Sequence, residues 1–198
     1  MRDYRHIDRY LTELQADVYP QPQDDQTQGL IAQLAKQWLP RLQGLDSILD
    51  VGCAQGQAIP ILEKYCPNVV GATLGTDAMV ASQQGHTVYY ADMSFLPFGE
   101  GEFKLLWCRH VLEHSPMPLI TLMEWHRVAR QWCICVVPTI EAHGYGDASD
   151  QHYYVLHEKQ WKNLFQRTGW HVLWQDYSYG VEMRWLLEKK ERPKGSPS

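Results

Sequence analysis

The chain has 198 residues, 44% of them hydrophobic and 21% charged, and its 18 Lys and Arg against 23 Asp and Glu leave a formal charge of −5. That length suits one domain, the composition excludes wholesale disorder and collagen-like or low-complexity architecture, and the negative balance offers no cationic field to a phosphate backbone, so nucleic acid is not an expected partner. The longest apolar stretch, around Cys133 to Val137, falls far short of the ~20 residues that cross a bilayer, and no apolar signal core follows Met1-Arg2-Asp3-Tyr4-Arg5. A cytoplasmic protein with no membrane partner is expected. Its five cysteines, an odd number, read as reduced thiols, and Cys133-x-Cys135 reads as a packing pair on one strand face.

In chain order, Leu30, Ile31, Leu34, Ala35, Trp38 and Leu39 recur at helical spacing over residues 27–39, and Pro40 ends the pattern. Ser47 to Val51 is a short β-like run that enters a turn of small residues, after which 58–65 reads as a helix stopped before Pro67. Strands are predicted at 69–73, 87–91, 103–108 and 132–137, with helices at 77–84 and 119–129, an alternation that implies a mostly parallel sheet covered on both faces. Residues 139–153, rich in Gly, Asp and His, are too long for a plain connector, and loops of that kind carry function. A helix at 157–168, capped by Gly169, leads to strands at 170–174 and 181–187, read as an antiparallel hairpin at the sheet edge. The expected organisation is an N-terminal helical cap segment (1–44), one α/β domain (45–187) and a polar disordered tail (188–198).

In Ile48-Leu49-Asp50-Val51-Gly52-Cys53-Ala54-Gln55-Gly56 a strand runs into small residues that let the backbone approach a ligand, and the helix that follows offers unpaired N–H donors. The Gly-Lys-Ser/Thr of a phosphate loop is absent. The dinucleotide pattern G-x-G-x-x-G is not met either, because Ala54 stands at its second position and no third glycine falls in place.

The run resembles motif I of the class I S-adenosylmethionine-dependent methyltransferases, D-x-G-x-G-x-G, met here as Asp50-x-Gly52-x-Ala54-x-Gly56. Ala91-Asp92-Met93-Ser94-Phe95-Leu96-Pro97-Phe98 resembles the segment after that family's third strand. Leu112-Glu113-His114-Ser115-Pro116 resembles its stretch after the fourth, and Glu124-x-x-Arg127-Val128 its following helix. The resemblance implies a Rossmann-like α/β fold, a seven-stranded mostly parallel sheet with a C-terminal antiparallel edge hairpin, and S-adenosylmethionine as cofactor. It places Gly52, Ala54 and Gly56 against the methionyl and ribose part, Asp50 on the ammonium group, Asp92 on adenine N6 and the Met93 N–H on adenine N1, and it brings Leu74 and Arg109 into the cofactor set. There are two departures. Thr73 stands where the family has an acidic ribose acceptor, so weaker or rearranged ribose binding is expected, with Asp77 either a substitute or a helix-start charge. Ala54 replaces the middle glycine, which is tolerable at negative φ.

His110-Val111-Leu112-Glu113-His114 falls at the carboxyl edge of the predicted sheet, where open α/β folds bind ligands, and His152 lies beyond the long loop. His110, Glu113, His114 and His152 form a donor set suited to Zn, Mn, Fe or Ni. The arrangement resembles that of metal-dependent small-RNA-end 2′-O-methyltransferases and some ubiquinone-pathway O-methyltransferases, which use E-x-x-E-H; His110 stands here for the first glutamate. The Glu-His pair also orders this loop where no metal is assigned. The inverzincin reading of H-x-x-E-H leaves the cofactor motifs unexplained. Without metal, His110, His114, His143 or His152 offers a general base near neutral pH. Tyr4, Tyr10, Tyr145, Tyr153 and Trp185 are candidates for an acceptor pocket, and Arg5, Arg9 and Arg109 for an anionic acceptor.

The resulting reading is methyl transfer to oxygen or nitrogen of a small-molecule acceptor admitted beneath residues 1–28 and 139–153. Two alternatives stand beside it. One is a non-catalytic cofactor-binding subunit of a partner protein, suggested by Thr73 and the small size. The other is a metal-dependent 2′-O-methyltransferase of RNA ends, opposed by the charge of −5.

Overall fold

A computed structural model describes residues 25–143, 152–178 and 180–190. Its elements begin with α1 (Asp25–Trp38), a 3-10 turn (Leu39–Arg41), β1 (Ile48–Val51), α2 (Ile59–Leu62), β2 (Val69–Thr73), α3 (Asp77–Gln83) and β3 (Val88–Tyr90). They continue with β4 (Phe103–Arg109), a second 3-10 turn (Leu112–His114), α4 (Pro118–Val128), β5 (Ala129–Pro138), α5 (Ile140–His143), α6 (Glu158–Arg167), β6 (Trp170–Ser178) and β7 (Glu182–Lys189).

One sheet holds all seven strands in the order β3-β2-β1-β4-β5-β7-β6. The pairs from β3 through β5 are parallel, whereas β7 pairs antiparallel with both β5 and β6. All four residues of β1 are buried, as a central parallel strand covered on both faces requires. Successive side chains point to opposite faces, and the core divides accordingly. Leu49, Val51, Leu106, Cys133 and Cys135 join Trp125 of α4 and Trp161 and Phe165 of α6. Ile48, Leu105, Trp107 and Ile134 join Leu34 of α1 and Ile59 of α2 on the other face. The chain runs from β1 to β2 on one side and returns to β4 on the other, which opens a crevice at the strands' carboxyl ends.

The predicted alternation is borne out, with differences at boundaries. Only Ile59–Leu62 of the expected 58–65 segment is α-helical, because the turn of small residues continues to Ala58 and Pro60 lies in the helix's first turn. The last strand runs to Lys189, two residues into the expected tail, because Glu188 pairs with Trp132 of β5 and the ladder holds the chain extended. Trp185, read as a candidate pocket residue, is 1% exposed and packs edge-on against Phe165. The Cys133 and Cys135 thiols are free and buried on one face, as their spacing implies. Tyr4, Arg5, Arg9, Tyr10, Tyr145, most of the 139–153 loop, residues 1–24 of the cap segment and residues 191–198 of the tail lie outside the described residues, as does the side chain of His143. Among the described residues no helix is long and apolar enough to cross a membrane.

Candidate active site

The turn after β1 is tied to β2: the Gly52 and Cys53 N–H groups both donate to the Ala72 carbonyl, at 2.7 and 3.2 Å, and Gly56 N–H donates to Cys53 O at 2.8 Å. Gly52 and Gly56 have φ of 69° and 86°, and a Cβ on Gly52 would overlap Val111 Cγ2 from the loop after β4. Ala54, tolerable on the sequence reading only at negative φ, has φ of 46°. An L-residue held there costs about 1–2 kcal/mol, so the turn carries strain at a ligand-facing position. Gly52→Ala is expected to lower the unfolding free energy by about 2–4 kcal/mol, from left-handed strain plus overlap, whereas Ala54→Gly should be neutral or stabilise by up to about 1 kcal/mol. Urea unfolding followed by circular dichroism measures both.

Asp50, at the end of β1, is 4% exposed, and burial pushes its carboxyl up to about 8. It lines, with Gly52, Ala54, Gln57, Trp107 and Arg109, a recess of about 30 Å³, room for one water or one ammonium group. Thr73 is buried at the end of β2, with Leu74 following it. Asp77 is the acidic residue in the first turn of α3, just after the N-cap Thr76, and its carboxylate takes the Gln55 amide at 3.0 Å, fastening helix to glycine turn.

Beyond β3, Asp92 Oδ1 accepts the Ser94 N–H at 2.7 Å, and burial raises its carboxyl above the usual range against the opposing hydrogen bond. The neighbouring residues are held from α4. Trp125 Nε1 donates to Met93 O at 3.1 Å, and Thr121 Oγ1 lies 2.7 Å from Ser94 Oγ and 2.6 Å from Ser115 Oγ. Glu124 and Arg127 pair at 2.7 Å and bracket the same segment: Glu124 accepts the Leu96 N–H at 2.8 Å, and Arg127 donates to Leu96 O and Phe98 O at 3.2 and 2.7 Å. The Glu-x-x-Arg motif thus clamps the loop that carries Asp92 and Met93.

At the end of β4 the chain leaves the sheet through His110, whose φ is 52°. Its Nδ1 lies 3.0 Å from Glu113 Oε1 and its Nε2 2.9 Å from Glu182 Oε1. Ionised carboxylates only accept, so with both ionised each ring nitrogen carries a proton and none has a lone pair to offer. Against burial, which would lower it, these two carboxylates raise the His110 imidazole above its ordinary value. The geometry thereby separates His110 from the metal quartet and from the base role expected of it. The quartet contracts to Glu113, His114 and His152, whose ligand atoms lie within 4.8 Å of one another. The two imidazoles meet edge to face with centroids 4.7 Å apart, and the Tyr154 N–H donates to Glu113 O at 3.2 Å, fixing the returning strand of chain beside them. Glu113 is fully buried and its Oε2 has no hydrogen-bond partner.

Three residues went unseen in the sequence reading. Glu182 and Arg184 of β7 are 2% and 3% exposed. Glu182 Oε1 accepts from Arg109 Nη2 at 2.5 Å, and its Oε2 from Arg184 Nε and Nη2 at 3.1 and 3.0 Å. Burial alone would raise the Glu182 carboxyl, yet His110, Arg109 and Arg184 hold it at about 2. The available signal was two charges at alternate positions of the otherwise apolar run 181–187. Gln55, inside the glycine turn, carried no signal.

This strand order, with the glycine turn at the switch point and the clamped loop beyond β3, defines the class I S-adenosylmethionine-dependent methyltransferase fold. A methyltransferase-domain family model matches residues 49–137. A probable methyltransferase, ltbC, of Aspergillus luteorubrus is 30% identical over 153 residues, 66% of this chain and 50% of its own length, so the chain spans half of that relative. A putative methyltransferase of Haloferax volcanii, solved in complex with the Trm112 activator, superposes with a TM-score of 0.71 at 16% identity, covering 81% of this chain and 90% of that one. A SAM-dependent methyltransferase from Aquifex aeolicus gives 0.64 at 16% identity, covering 82% and 98%. Over residues 49–137 the chain is similar to methyltransferase domains, and its fold is the one these solved methyltransferases share.

Proposed function

We propose that the chain transfers the methyl group of S-adenosylmethionine to oxygen or nitrogen of a small-molecule acceptor. The observation that carries this reading is the buried Asp50 carboxylate beneath a glycine turn, with Asp92 and Thr73 at the ends of the adjacent strands. Asp50 holds the cofactor's ammonium, the turn from Gly52 to Gly56 lies along its methionyl and ribose part, and Asp92 with the Met93 N–H meets the adenine. Thr73 supplies one hydroxyl toward the ribose. Bound there, the cofactor supplies a sulfonium methyl, and the rate comes mostly from in-line placement of the acceptor lone pair. An imidazole of His114 or His152 takes the acceptor proton. Calorimetric titration with S-adenosylmethionine and S-adenosylhomocysteine should give saturable binding of both; binding of neither removes the reading. Cofactor binding with no turnover on any acceptor would move it to a subunit working with a partner protein, as the Haloferax volcanii neighbour has its activator.

The orphaned Glu113 Oε2 favours a finer form of this reading, in which Glu113, His114 and His152 hold a divalent metal. One carboxylate and two imidazoles fit Zn, Mn, Fe or Ni, and a metal there would lower the pKa of an acceptor hydroxyl. His110 contributes by fixing Glu113 Oε1, which leaves Oε2 as the unpartnered oxygen of the carboxylate. Elemental analysis should find one divalent ion per chain, lost in Glu113→Gln, and chelator should lower the melting temperature of the parent chain but not of the variant. No retained metal and no thermal response to Zn, Mn, Fe or Ni would leave the histidines as bases alone.

A further inference from the structure

Two loops of the crevice meet at one hydroxyl of α4. Thr121, in the first turn of that helix, is buried, as are Ser94 of the loop after β3 and Ser115 at the end of the 3-10 turn after β4. Thr121 Oγ1 lies 2.7 Å from Ser94 Oγ, 2.6 Å from Ser115 Oγ and 3.2 Å from Met117 O, and Ser115 Oγ accepts the Met117 N–H at 3.1 Å. One arrangement gives every hydroxyl proton an acceptor within this group: both serines donate to Thr121, and Thr121 donates to Met117 O. Reversing either serine bond leaves that serine's proton without an acceptor in the group, which is costly in a buried place. The two serines belong to different parts of the site. Ser94 follows Met93 and gives its N–H to Asp92 Oδ1, whereas Ser115 follows His114 and gives its N–H to Leu112 O, closing the turn that carries Glu113. Glu124, Trp125 and Arg127 of the same helix hold the loop after β3, and Thr121 is the one of these four side chains that also holds the turn after β4.

We infer that Thr121 is a positioning residue that couples the two parts of the site: when the cofactor's adenine fixes Asp92 and Met93, the shared hydroxyl passes that order to the turn of Glu113, His114 and Ser115. The inference rests on the methyl-transfer reading for the place of the adenine. A hydroxyl that accepts from both loops loses its geometry toward one when the other shifts, so ordering the first lowers the cost of ordering the second. The coupling is reciprocal, and a group that settles Glu113 and His114 strengthens cofactor binding by the same factor. His114 is thus set for its work by the cofactor, which favours binding of cofactor before acceptor.

The test is amide hydrogen exchange of the full chain, read by mass spectrometry with and without saturating S-adenosylhomocysteine. In the parent, the nucleoside is expected to slow exchange about fivefold or more both in peptides over residues 93–96 and in peptides over 113–117. Thr121→Val, which keeps the shape and loses the hydroxyl, should keep the first effect within about twofold and lose the second, and Thr121→Ser should restore it. Ser115→Ala cuts the same path at its other end and should give the pattern of the valine variant, which it replaces should that variant fail to fold. A merely structural role would speed exchange over 113–117 in the empty and the bound chain alike and leave the nucleoside-dependent ratio as in the parent. That result overturns the proposal, and so does a bound parent whose protection is confined to 93–96 or missing from both segments. If the parent binds no S-adenosylhomocysteine the methyl-transfer reading fails, and urea unfolding of Ser94→Ala, Ser115→Ala and the double variant still decides whether Thr121 joins the loops. The unfolding constant of the double variant should then depart about threefold or more from the product of the single changes, and agreement with that product overturns the coupling.

Discussion

Glu182→Gln is expected to lower the unfolding free energy at pH 7 by about 3–5 kcal/mol, because it leaves Arg109 and Arg184 buried against a neutral amide. The folded carboxyl sits at about 2 and its ordinary value is 4.5. A carboxyl depressed by folding contributes stability above its unfolded pKa and loses it as pH falls through the folded one. The window is therefore about pH 4.5 down to about pH 2, and the amount involved is about 3 kcal/mol. Urea unfolding at a series of pH values should show the parent chain losing that stability on acidification, while the variant starts low and changes much less across the same range. Equal stabilities of parent and variant at pH 7 would mean that the two guanidiniums are solvated, contrary to their burial. A buried salt bridge is weak evidence that the fold needs charge for its stability, since apolar replacements of such groups are often neutral or stabilising.

Asp50 works with the opposite sign. Its folded carboxyl is pushed up to about 8 from 3.8 by burial, so in the empty protein at pH 7 it is mostly protonated while the unfolded chain is ionised. Stability then falls as pH rises from about 4 to about 8, and Asp50→Asn, which cannot titrate, should remove that slope and stabilise the empty protein at pH 7 by about 2–4 kcal/mol. The same substitution should weaken S-adenosylmethionine binding by at least tenfold, about 1.4 kcal/mol, through loss of the charged partner of the ammonium. In the parent chain, binding an ammonium requires the carboxylate form. Affinity should therefore rise with pH toward about 8, with nearly one proton released per cofactor at pH 6.5. Calorimetry in two buffers of different ionisation enthalpy reads that proton directly. A stability cost carried by a residue that the ligand needs is the expected trade at a site arranged for binding before the ligand arrives.

The two residues share the crevice yet differ in how they are visible. Asp50 could be read from the chain because a strand, a carboxylate and a small-residue turn are consecutive, and their local geometry dictates a ligand-facing backbone. Asp92, Glu113 and the Glu124–Arg127 pair were legible for the same reason, each lying in a short contiguous motif. So was the sheet, because hydrophobic runs of strand length alternating with amphipathic helices admit few arrangements.

What the tertiary structure alone decided lies in contacts between distant segments. Glu182 stands 72 residues from His110 and 73 from Arg109, and only the antiparallel ladder of β5 and β7, which sets Glu182 opposite Pro138 and Arg184 opposite Val136, delivers it there. That contact changes the chemistry of His110, turning a candidate base and metal ligand into a bridge between two carboxylates. It also leaves Glu113, His114 and His152 as the cluster that remains together. The sign of φ at Ala54 likewise depended on the packing of the turn against β2 and Val111. The sequence by itself determined the fold and the contiguous motifs along the carboxyl edge of the sheet, because local spacing carries backbone geometry. The protonation and pairing of His110, Arg109, Glu182 and Arg184 were decided by tertiary structure, because electrostatic interaction depends on distance in space and not on separation along the chain.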